Sequence, residues 1–270
     1  MSTSVQSREP PLQAHQKMTV TQQVGDYMQH LAKILLSIET SEQKFLQSCS
    51  LLFQKLGVNP AEIFQLLDVT TSGYILENDF RIFLEEFDII LTRKESRLLL
   101  RFFSKGPNQE SDQKVTSEQF NTIFSYAPNL TKLPKQTSPE QPKATSHVAP
   151  DFSQILKTLA KDLKQLDDDK QLLHSNPLFD ISDSFLELDL AQKGFINSRD
   201  IYDFLTDFFE SVRFKMAERV HLLIPKNAEG KIDLRSWKDF LSPTHIQSRV
   251  NERLARLKMR GNSRLNEREG

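Results

Sequence analysis

Two twelve-residue segments constrain the fold of this chain more than any other feature of its sequence. They read DVTTSGYILEND (Asp68–Asp79) and DLAQKGFINSRD (Asp189–Asp200). Each begins and ends with Asp, and each has Gly at its sixth position and Ile at its eighth. Glycine at a fixed place in a short loop indicates a sharp turn through positive φ. We name these segments the first loop and the third loop, and we expect each to join two helices.

Apolar residues recur at helical spacing on both sides of these loops, as expected for helices that bury one face. Each loop also has a candidate partner further along the chain. In the second loop Val115 takes the position of the Ile, and the fourth loop, Pro225–Ser236, contains Gly230 and Ile232. If the loops pair, the Ile at the eighth position would lie in a short two-stranded ribbon. The matching flanking residues are Ile63, Phe64, Leu67, Phe80, Phe83, Leu84 and Phe87 around the first loop, and Ile181, Phe185, Leu188, Ile201, Phe204, Leu205 and Phe208 around the third.

These spacings resemble those of the EF-hand superfamily, of which calmodulin and centrin are familiar members. The resemblance covers residues 60–127 and 178–242, about half of the chain. It implies an all-α fold with two EF-hand-like lobes, each built from paired helix–loop–helix units, with extra flanking helices.

The resemblance also implies which residues would bind calcium, since loops of that family supply oxygen ligands from positions 1, 3, 5, 7, 9 and 12. In the first loop only two of these residues are charged, and the last is Asp instead of the longer Glu. In the third loop Ala191 offers no ligand, and Lys193 would repel a cation. We therefore interpret the loops as degenerate packing elements and expect no metal cofactor. The candidate calcium ligands are Asp68, Thr70, Ser72, Tyr74 and Asp79.

A Pro-rich segment divides the chain. Residues 128–150 contain five Pro and almost no large apolar residues, which is typical of an extended linker; an ordered strap across a neighbouring surface is the alternative. Ahead of the first loop, apolar stripes predict two leading helices, with Thr40 and Gln43 as a capping box at the start of the second. The predicted divisions are a disordered N-terminus (1–19), a first lobe with its leading helices (20–127), the linker (128–150), a second lobe with its leading helix (151–243) and a basic C-terminal helix or tail (244–270).

In the tail, an apolar stripe and a basic stripe run along one predicted helix. From Arg249 to Gly270 there are seven Lys or Arg and three Glu, a local charge of +4. The apolar stripe would dock on the protein's own second lobe, or the basic stripe would meet an acidic protein surface such as a filament; membrane or RNA binding is a third alternative. The candidate partner-binding residues are Ile246, Arg249, Val250, Arg253, Leu254, Arg256, Leu257 and Arg260.

Five large apolar residues lie at predicted helix ends between the paired units. We expect them in the core, because an apolar stripe at helical spacing is usually buried within the protein. The alternative is a groove that permanently binds a partner helix. These residues are Phe87, Ile89, Ile90, Phe208 and Phe209.

Composition excludes several classes of function. The net charge of −1 gives no field that would attract nucleic acid, and the single Cys49 falls on an apolar stripe, which predicts a core residue in a reducing compartment. No apolar run is long enough to cross a membrane, and the N-terminus lacks the apolar segment of a signal peptide. Phosphate-binding loops and His-based metal motifs are missing, so we expect no enzyme. The charged run Asp167–Lys170 is interpreted as a solvated helix face.

Together these features predict a non-catalytic, calcium-independent scaffold or adaptor that binds protein partners in the cytoplasm. A cytoskeletal or ciliary assembly is suggested by analogy with the family alone. The alternatives are a calcium sensor that uses the first loop, and a regulatory subunit of a kinase or phosphatase.

Overall fold

The structure, a computed structural model, describes residues 20–104, 114–125 and 145–244 of the 270-residue chain. Within those residues the protein is all-α, with ten helices and one antiparallel sheet of two short strands, so the fold class expected from the sequence is confirmed. None of the described helices is both long and apolar enough to cross a bilayer. The elements are α1 (Val20–Leu56), α2 (Pro60–Leu67), β1 (Tyr74–Ile75), α3 (Glu77–Glu85), α4 (Arg93–Phe103), β2 (Val115–Thr116), α5 (Ser117–Ser125), α6 (Thr145–Ser175), α7 (Ile181–Leu188), α8 (Ser198–Thr206), α9 (Phe214–Leu223) and α10 (Leu234–Leu241).

Several short helices begin where a side chain satisfies the first free backbone N–H groups. The Asn59 side chain accepts the N–H of Glu62 at the start of α2, and Thr92 accepts the N–H of Glu95 at the start of α4. Each glutamate in turn accepts the backbone N–H of its capping residue. A helix cap of this kind contributes about 1 kcal/mol, so these helix starts are encoded locally.

The helix α1 is continuous, although the sequence predicted two helices in its place. The Thr40 hydroxyl does not cap a new helix, because it donates to the Leu36 carbonyl one turn back at 2.9 Å. The Gln43 side chain donates to the Glu39 carboxylate within the same helix. The predicted boundary at Thr40 is therefore wrong: polar residues interrupt the apolar stripe there, but the backbone stays helical.

The described residues form two hydrophobic cores, and the two long helices take part in both. Residues 27–38 of α1 pack in the second core, and α1 enters the first core from Phe45 onward. Residues 148–163 of α6 lie in the first core, whereas Leu166 and Leu173 lie in the second. The two helices therefore run in opposite directions through both cores.

The shorter helices divide between the cores in chain order. Helices α2 to α5 contribute to the first core, and helices α7 to α10 contribute to the second. The predicted lobes, 20–127 and 151–243, differ from these cores, since each core also includes a long-helix segment from the other half of the chain. An amphipathic stripe shows that a helix buries one face, but it does not show which partner covers that face.

The helix α6 begins inside the predicted linker. It starts at Thr145 and includes Pro150 in its second turn. Val148 and Phe152 are fully buried in the first core, and this burial outweighs the cost of a Pro near a helix start. The linker prediction is therefore wrong for residues 145–150.

Three predicted segments lie outside the described residues. They are the N-terminus (1–19), the linker up to residue 144, and the tail beyond Thr244. The tail residues proposed for partner binding, from Ile246 to Arg260, accordingly stay predictions.

Of the five apolar residues expected in the core at helix ends, four pack in or against a core: Phe87, Ile89, Phe208 and Phe209. The fifth, Ile90, is 87% exposed, so its prediction is wrong. It follows Asp88, which has φ of 56°, in a non-helical connection where Ile89 and Leu91 are buried. Side chains alternate between faces in such a segment, and the helical spacing assumed from the sequence does not apply.

Candidate functional site

The first loop, between α2 and α3, is organised around one carboxylate. Asp68 ends α2, its Oδ1 accepts the Ser72 N–H at 2.8 Å, and its Oδ2 accepts the Gly73 N–H at 2.7 Å. Thr71 and Gly73 have positive φ of 52° and 82°. The sharp turn predicted at the glycine is therefore confirmed, and Asp68 holds it by hydrogen bonds within the chain.

The third loop, between α7 and α8, repeats this geometry. Asp189 ends α7, its Oδ1 accepts the Lys193 N–H at 3.0 Å, and its Oδ2 accepts the Gly194 N–H at 2.7 Å. Gln192 and Gly194 have positive φ of 52° and 80°. Two segments that share few side chains thus adopt the same turn, because both place Asp first and Gly sixth.

The eighth residues of the two loops form the predicted ribbons. Ile75 is opposite Val115 in the antiparallel pair β1–β2, and Ile196 forms an antiparallel bridge with Ile232. All four side chains are fully buried. The ribbons therefore link each main loop to its partner and close the end of each core.

The third loop contains its own cation next to its last acid. Lys193, at the fifth position, places its Nζ 2.6 Å from both carboxylate oxygens of Asp200, at the twelfth. Asp200 Oδ2 also accepts the Asn197 N–H at 2.7 Å. The Lys193 and Asp200 side chains are 26% and 14% exposed, so water screens this ion pair less than it screens a surface pair.

The first loop has no corresponding cation. Asp79, at the twelfth position, is 1% exposed, and its Oδ2 accepts the Leu76 N–H at 2.7 Å. Its Oδ1 is buried and has no hydrogen-bond partner among the described residues. Burial raises the pKa of the Asp79 carboxyl, the Leu76 N–H lowers it, and the nearby Asp68 carboxylate raises it further; the net shift is upward.

The loops therefore differ in how their carboxylates are satisfied. In the third loop each oxygen of Asp189 and Asp200 accepts at least one hydrogen bond from the loop itself. In the first loop three of the four oxygens do so, and Asp79 Oδ1 remains. A hydroxyl group makes a further hydrogen bond within the first loop, where Ser72 Oγ donates to the Tyr74 carbonyl at 2.8 Å.

A lysine from the partner loop covers an aromatic ring in both pairs. Lys114 Nζ lies 5.0 Å from the centre of the Tyr74 ring, and Lys231 Nζ lies 5.1 Å from that of Phe195. Lys193 Nζ also lies over Phe195, at 5.4 Å. Both rings occupy the seventh position of their loops, which extends the similarity of the two pairs beyond the turn itself.

The fourth loop is closed by its own side chains as well. Lys226 Nζ donates to the His221 carbonyl at 2.7 Å, and burial lowers the pKa of this ammonium group. The Asn227 side chain accepts the Lys231 N–H at 3.0 Å and donates to Asp233 at 2.9 Å. Residues 105–113, which contain most of the second loop, lie outside the described residues.

The third loop does not suit a divalent cation, because the Lys193 ammonium group already contacts both carboxylate oxygens of Asp200. Among the five candidate ligands of the first loop, the Ser72 hydroxyl is hydrogen-bonded to Asp68, Thr70 and the Tyr74 carbonyl. Asp79 accepts the Leu76 N–H instead, and only Asp68 and Asp79 carry charge. In the described parts of the chain, no group of three or more His, Cys, Asp or Glu side chains is placed to hold a metal ion.

A buried junction between the two halves of the fold was not predicted from the sequence. Asp167 on α6 is 4% exposed, and its Oδ1 accepts both the N–H and the hydroxyl of Thr244 at 2.8 Å. Lys94 on α4 lies 2.8 Å from Asp167 and 2.7 Å from Asp168. Burial acts to raise the pKa of Asp167, but the hydrogen bonds from Lys94 and Thr244 bring it below its usual value. The prediction of a solvated face is wrong for Asp167.

Comparisons with protein-family models, with curated proteins and with solved structures found no significant match to this chain.

Proposed function

We propose that the protein is a non-catalytic scaffold or adaptor, built on two degenerate EF-hand lobes, that binds its protein partners without calcium. Three features support the EF-hand assignment. The helix–loop–helix units occur in pairs, Gly73 and Gly194 turn through positive φ at the sixth position, and Ile75 and Ile196 form the ribbons at the eighth. The resemblance found in the sequence implies the same three features.

The observation that carries the proposal is the ion pair between Lys193 and Asp200. An acid at the twelfth position is the one that the EF-hand resemblance would assign to calcium. In this chain a covalently attached ammonium group lies 2.6 Å from both of its oxygens. A calcium ion would have to displace that group, so the lobe is proposed to keep one conformation whatever the calcium concentration.

The proposed partner is a protein, in a cytoplasmic assembly that is cytoskeletal or ciliary by analogy. Exposed apolar side chains supply candidate contacts: Leu186 and Leu190 at the end of α7 are 55% and 78% exposed, and Ile90 is 87% exposed. The basic stripe of the tail is the proposed contact with an acidic surface, with Arg253 and Arg256 at its centre.

Affinity capture of the full chain from its own cells, with calcium and with a chelator in parallel, tests this proposal. We expect the same partners in both conditions. The R253E/R256E variant should lose partners that bind through acidic surfaces. The L186S variant should lose partners that bind the exposed leucines at the end of α7. A set of partners retained only with calcium would contradict the proposal.

A second candidate, a calcium sensor that uses the first loop, is favoured by one observation. Asp79 Oδ1 is buried and has no hydrogen-bond partner among the described residues, which is unusual for a carboxylate oxygen. Calorimetric titration of the full chain with calcium chloride distinguishes the two candidates. Binding heat that is lost in D79A and kept in D200A supports the sensor, and the lack of any heat contradicts it.

A further inference from the structure

Midway along α1, buried acidic residues interrupt the apolar stripe. Ile38 is the last α1 residue in the second core, and Phe45 is the first α1 residue in the first core. Between them, Glu39 is 2% exposed and Glu42 is 8% exposed. Along α1, the two cores are therefore joined through buried carboxyl groups.

One guanidinium group from α9 faces both of these carboxyl groups. Arg219 Nε lies 3.5 Å from Glu39 Oε1, and Arg219 Nη2 lies 3.2 Å from Glu42 Oε2. Arg219 Nε is buried and makes no hydrogen bond within the described residues. Its position between two acceptors thus leaves one of its donors unsatisfied.

The charges of this cluster do not balance when both acids are ionised. Arg219 carries one positive charge, whereas Glu39 and Glu42 together carry two negative charges. A neighbouring carboxylate in the same buried site raises the affinity of an acid for a proton. Burial raises the pKa of Glu39, Arg219 lowers it and Glu42 raises it again, and the net shift is upward.

We propose that Glu39, Glu42 and Arg219 form a proton-sensitive joint between the two halves of the fold. Uptake of one proton by Glu39 removes the repulsion from Glu42 and leaves Arg219 to pair with Glu42 alone. Protonated Glu39 still has a carbonyl oxygen that accepts the hydrogen bond from Gln43. The fold is then more stable, because the cost of burying the Glu39 charge, which is the largest cause of its raised pKa, is removed.

The sign of the effect follows from the direction of the shift. An acid whose pKa is higher in the folded than in the unfolded protein stabilises the fold as pH falls through the folded pKa, and this stabilisation is lost as pH rises through it. The Asp167 junction has the opposite sign, because its pKa is lowered. A test must therefore isolate Glu39 from the pH dependence of the whole protein.

The first measurement is a carbon-13 NMR titration of the Glu39 carboxyl group in the full chain. We expect a midpoint above the free-Glu value of about 4.3. A midpoint at or below that value would overturn the proposal. This result needs no variant, so it does not depend on whether a substituted chain folds.

The second measurement is thermal unfolding of the wild type, E39Q and D26N between about pH 5 and pH 8. E39Q mimics the protonated acid, so at the upper end of that range it should raise the Tm by about 2–4 °C, and the gain should shrink toward the lower end. D26N makes the same charge change at an exposed position of α1 and should leave the Tm unchanged. An E39Q variant that lowers the Tm throughout the range would contradict the proposal.

Discussion

The first and third loops have the same turn and a different balance of charge. In each, the opening Asp accepts the N–H groups of the fifth and sixth residues, and the glycine turns through φ of about 80°. They differ at the fifth position, which is Ser72 in the first loop and Lys193 in the third. The Ser72 hydroxyl donates to the Tyr74 carbonyl, whereas the Lys193 ammonium group pairs with Asp200, the last acid of its loop.

The difference shows that the backbone of such a loop and the charge at its centre are encoded separately. Asp and Gly at fixed positions suffice for the turn, because they supply the hydrogen-bond acceptor and the positive φ. One further side chain decides whether the twelfth residue is neutralised within the chain. Asp200 is neutralised by Lys193, whereas one oxygen of Asp79 has no hydrogen-bond partner in the part of the chain that the structure describes.

The largest effects are expected when the shared acceptor is removed. D189A would leave the Lys193 and Gly194 N–H groups without their acceptor and should lower the free energy of unfolding by about 2–4 kcal/mol. D68A should cost less, since Asp68 is 8% exposed and Asp189 is 1% exposed. Urea unfolding, followed by circular dichroism and by the fluorescence of the single Trp237, measures both.

D203A is the matched control for these variants. Asp203 pairs with Arg199 on the surface of α8, where both side chains are more than half exposed. Such a pair contributes about 0.5 kcal/mol, so D203A should be close to the wild type. If D189A were equally mild, the turn would not depend on its carboxylate.

The common turn could be predicted from sequence because its determinants lie within a few residues of one another. The partner of Lys193 is also local, seven positions away in the same loop. From the sequence, this lysine was expected only to repel a cation. An acid at the twelfth position and a lysine at the fifth, both directed to the centre of one loop, are a signal that would have predicted the pair.

The features that were not predictable depend on contacts between distant parts of the chain. Asp167 is buried by Thr244, which is 77 positions away, and by Lys94 of α4. Nothing in the run of acids around it distinguishes this residue from its solvated neighbours. For the same reason, the sequence did not predict that α1 passes from one core to the other. The apolar stripe of α1 does not identify the helices that pack against it.

Exchanging the fifth residues of the two loops should reverse part of the difference in charge between them. K193S would leave Asp200 without its cation and should lower the free energy of unfolding by about 1–2 kcal/mol, while S72K would give Asp79 a cation and should raise it by about 0.5 kcal/mol. The double variant K193S/D200N isolates the energy of the ion pair. Once one member of the pair has been replaced, replacing the other should lower the free energy of unfolding little further. If K193S and D200N were additive, the ion pair would contribute nothing.

A smaller effect concerns pH and the acid at the twelfth position of the first loop. The pKa of Asp79 is raised in the folded protein, so its ionisation weakens the fold as pH rises through that pKa. D79N keeps an acceptor for the Leu76 N–H and removes the titration. The ratio of folded to unfolded protein, compared between wild type and D79N from about pH 4 to pH 7, should shift in favour of D79N as pH rises. If this ratio changed with pH equally in the wild type and in D79N, the raised pKa would not belong to Asp79.

The smallest effect is expected from the lysines that cover the seventh residues. Tyr74 has one such lysine, Lys114, whereas Phe195 has both Lys193 and Lys231. An exposed cation–π contact contributes about 0.5 kcal/mol, so K114M should destabilise the fold by that amount. K231M should cost less, because Lys193 still faces the same ring.

The loss from K231M should therefore grow when Lys193 is also replaced. Urea unfolding of K231M, K193S and the double variant measures this coupling directly. A loss in the double variant that exceeds the sum of the two single losses is expected, since each lysine compensates for the other at Phe195. Strict additivity would mean that the ring contact of Lys193 is incidental, and that its ion pair with Asp200 alone separates the third loop from the first.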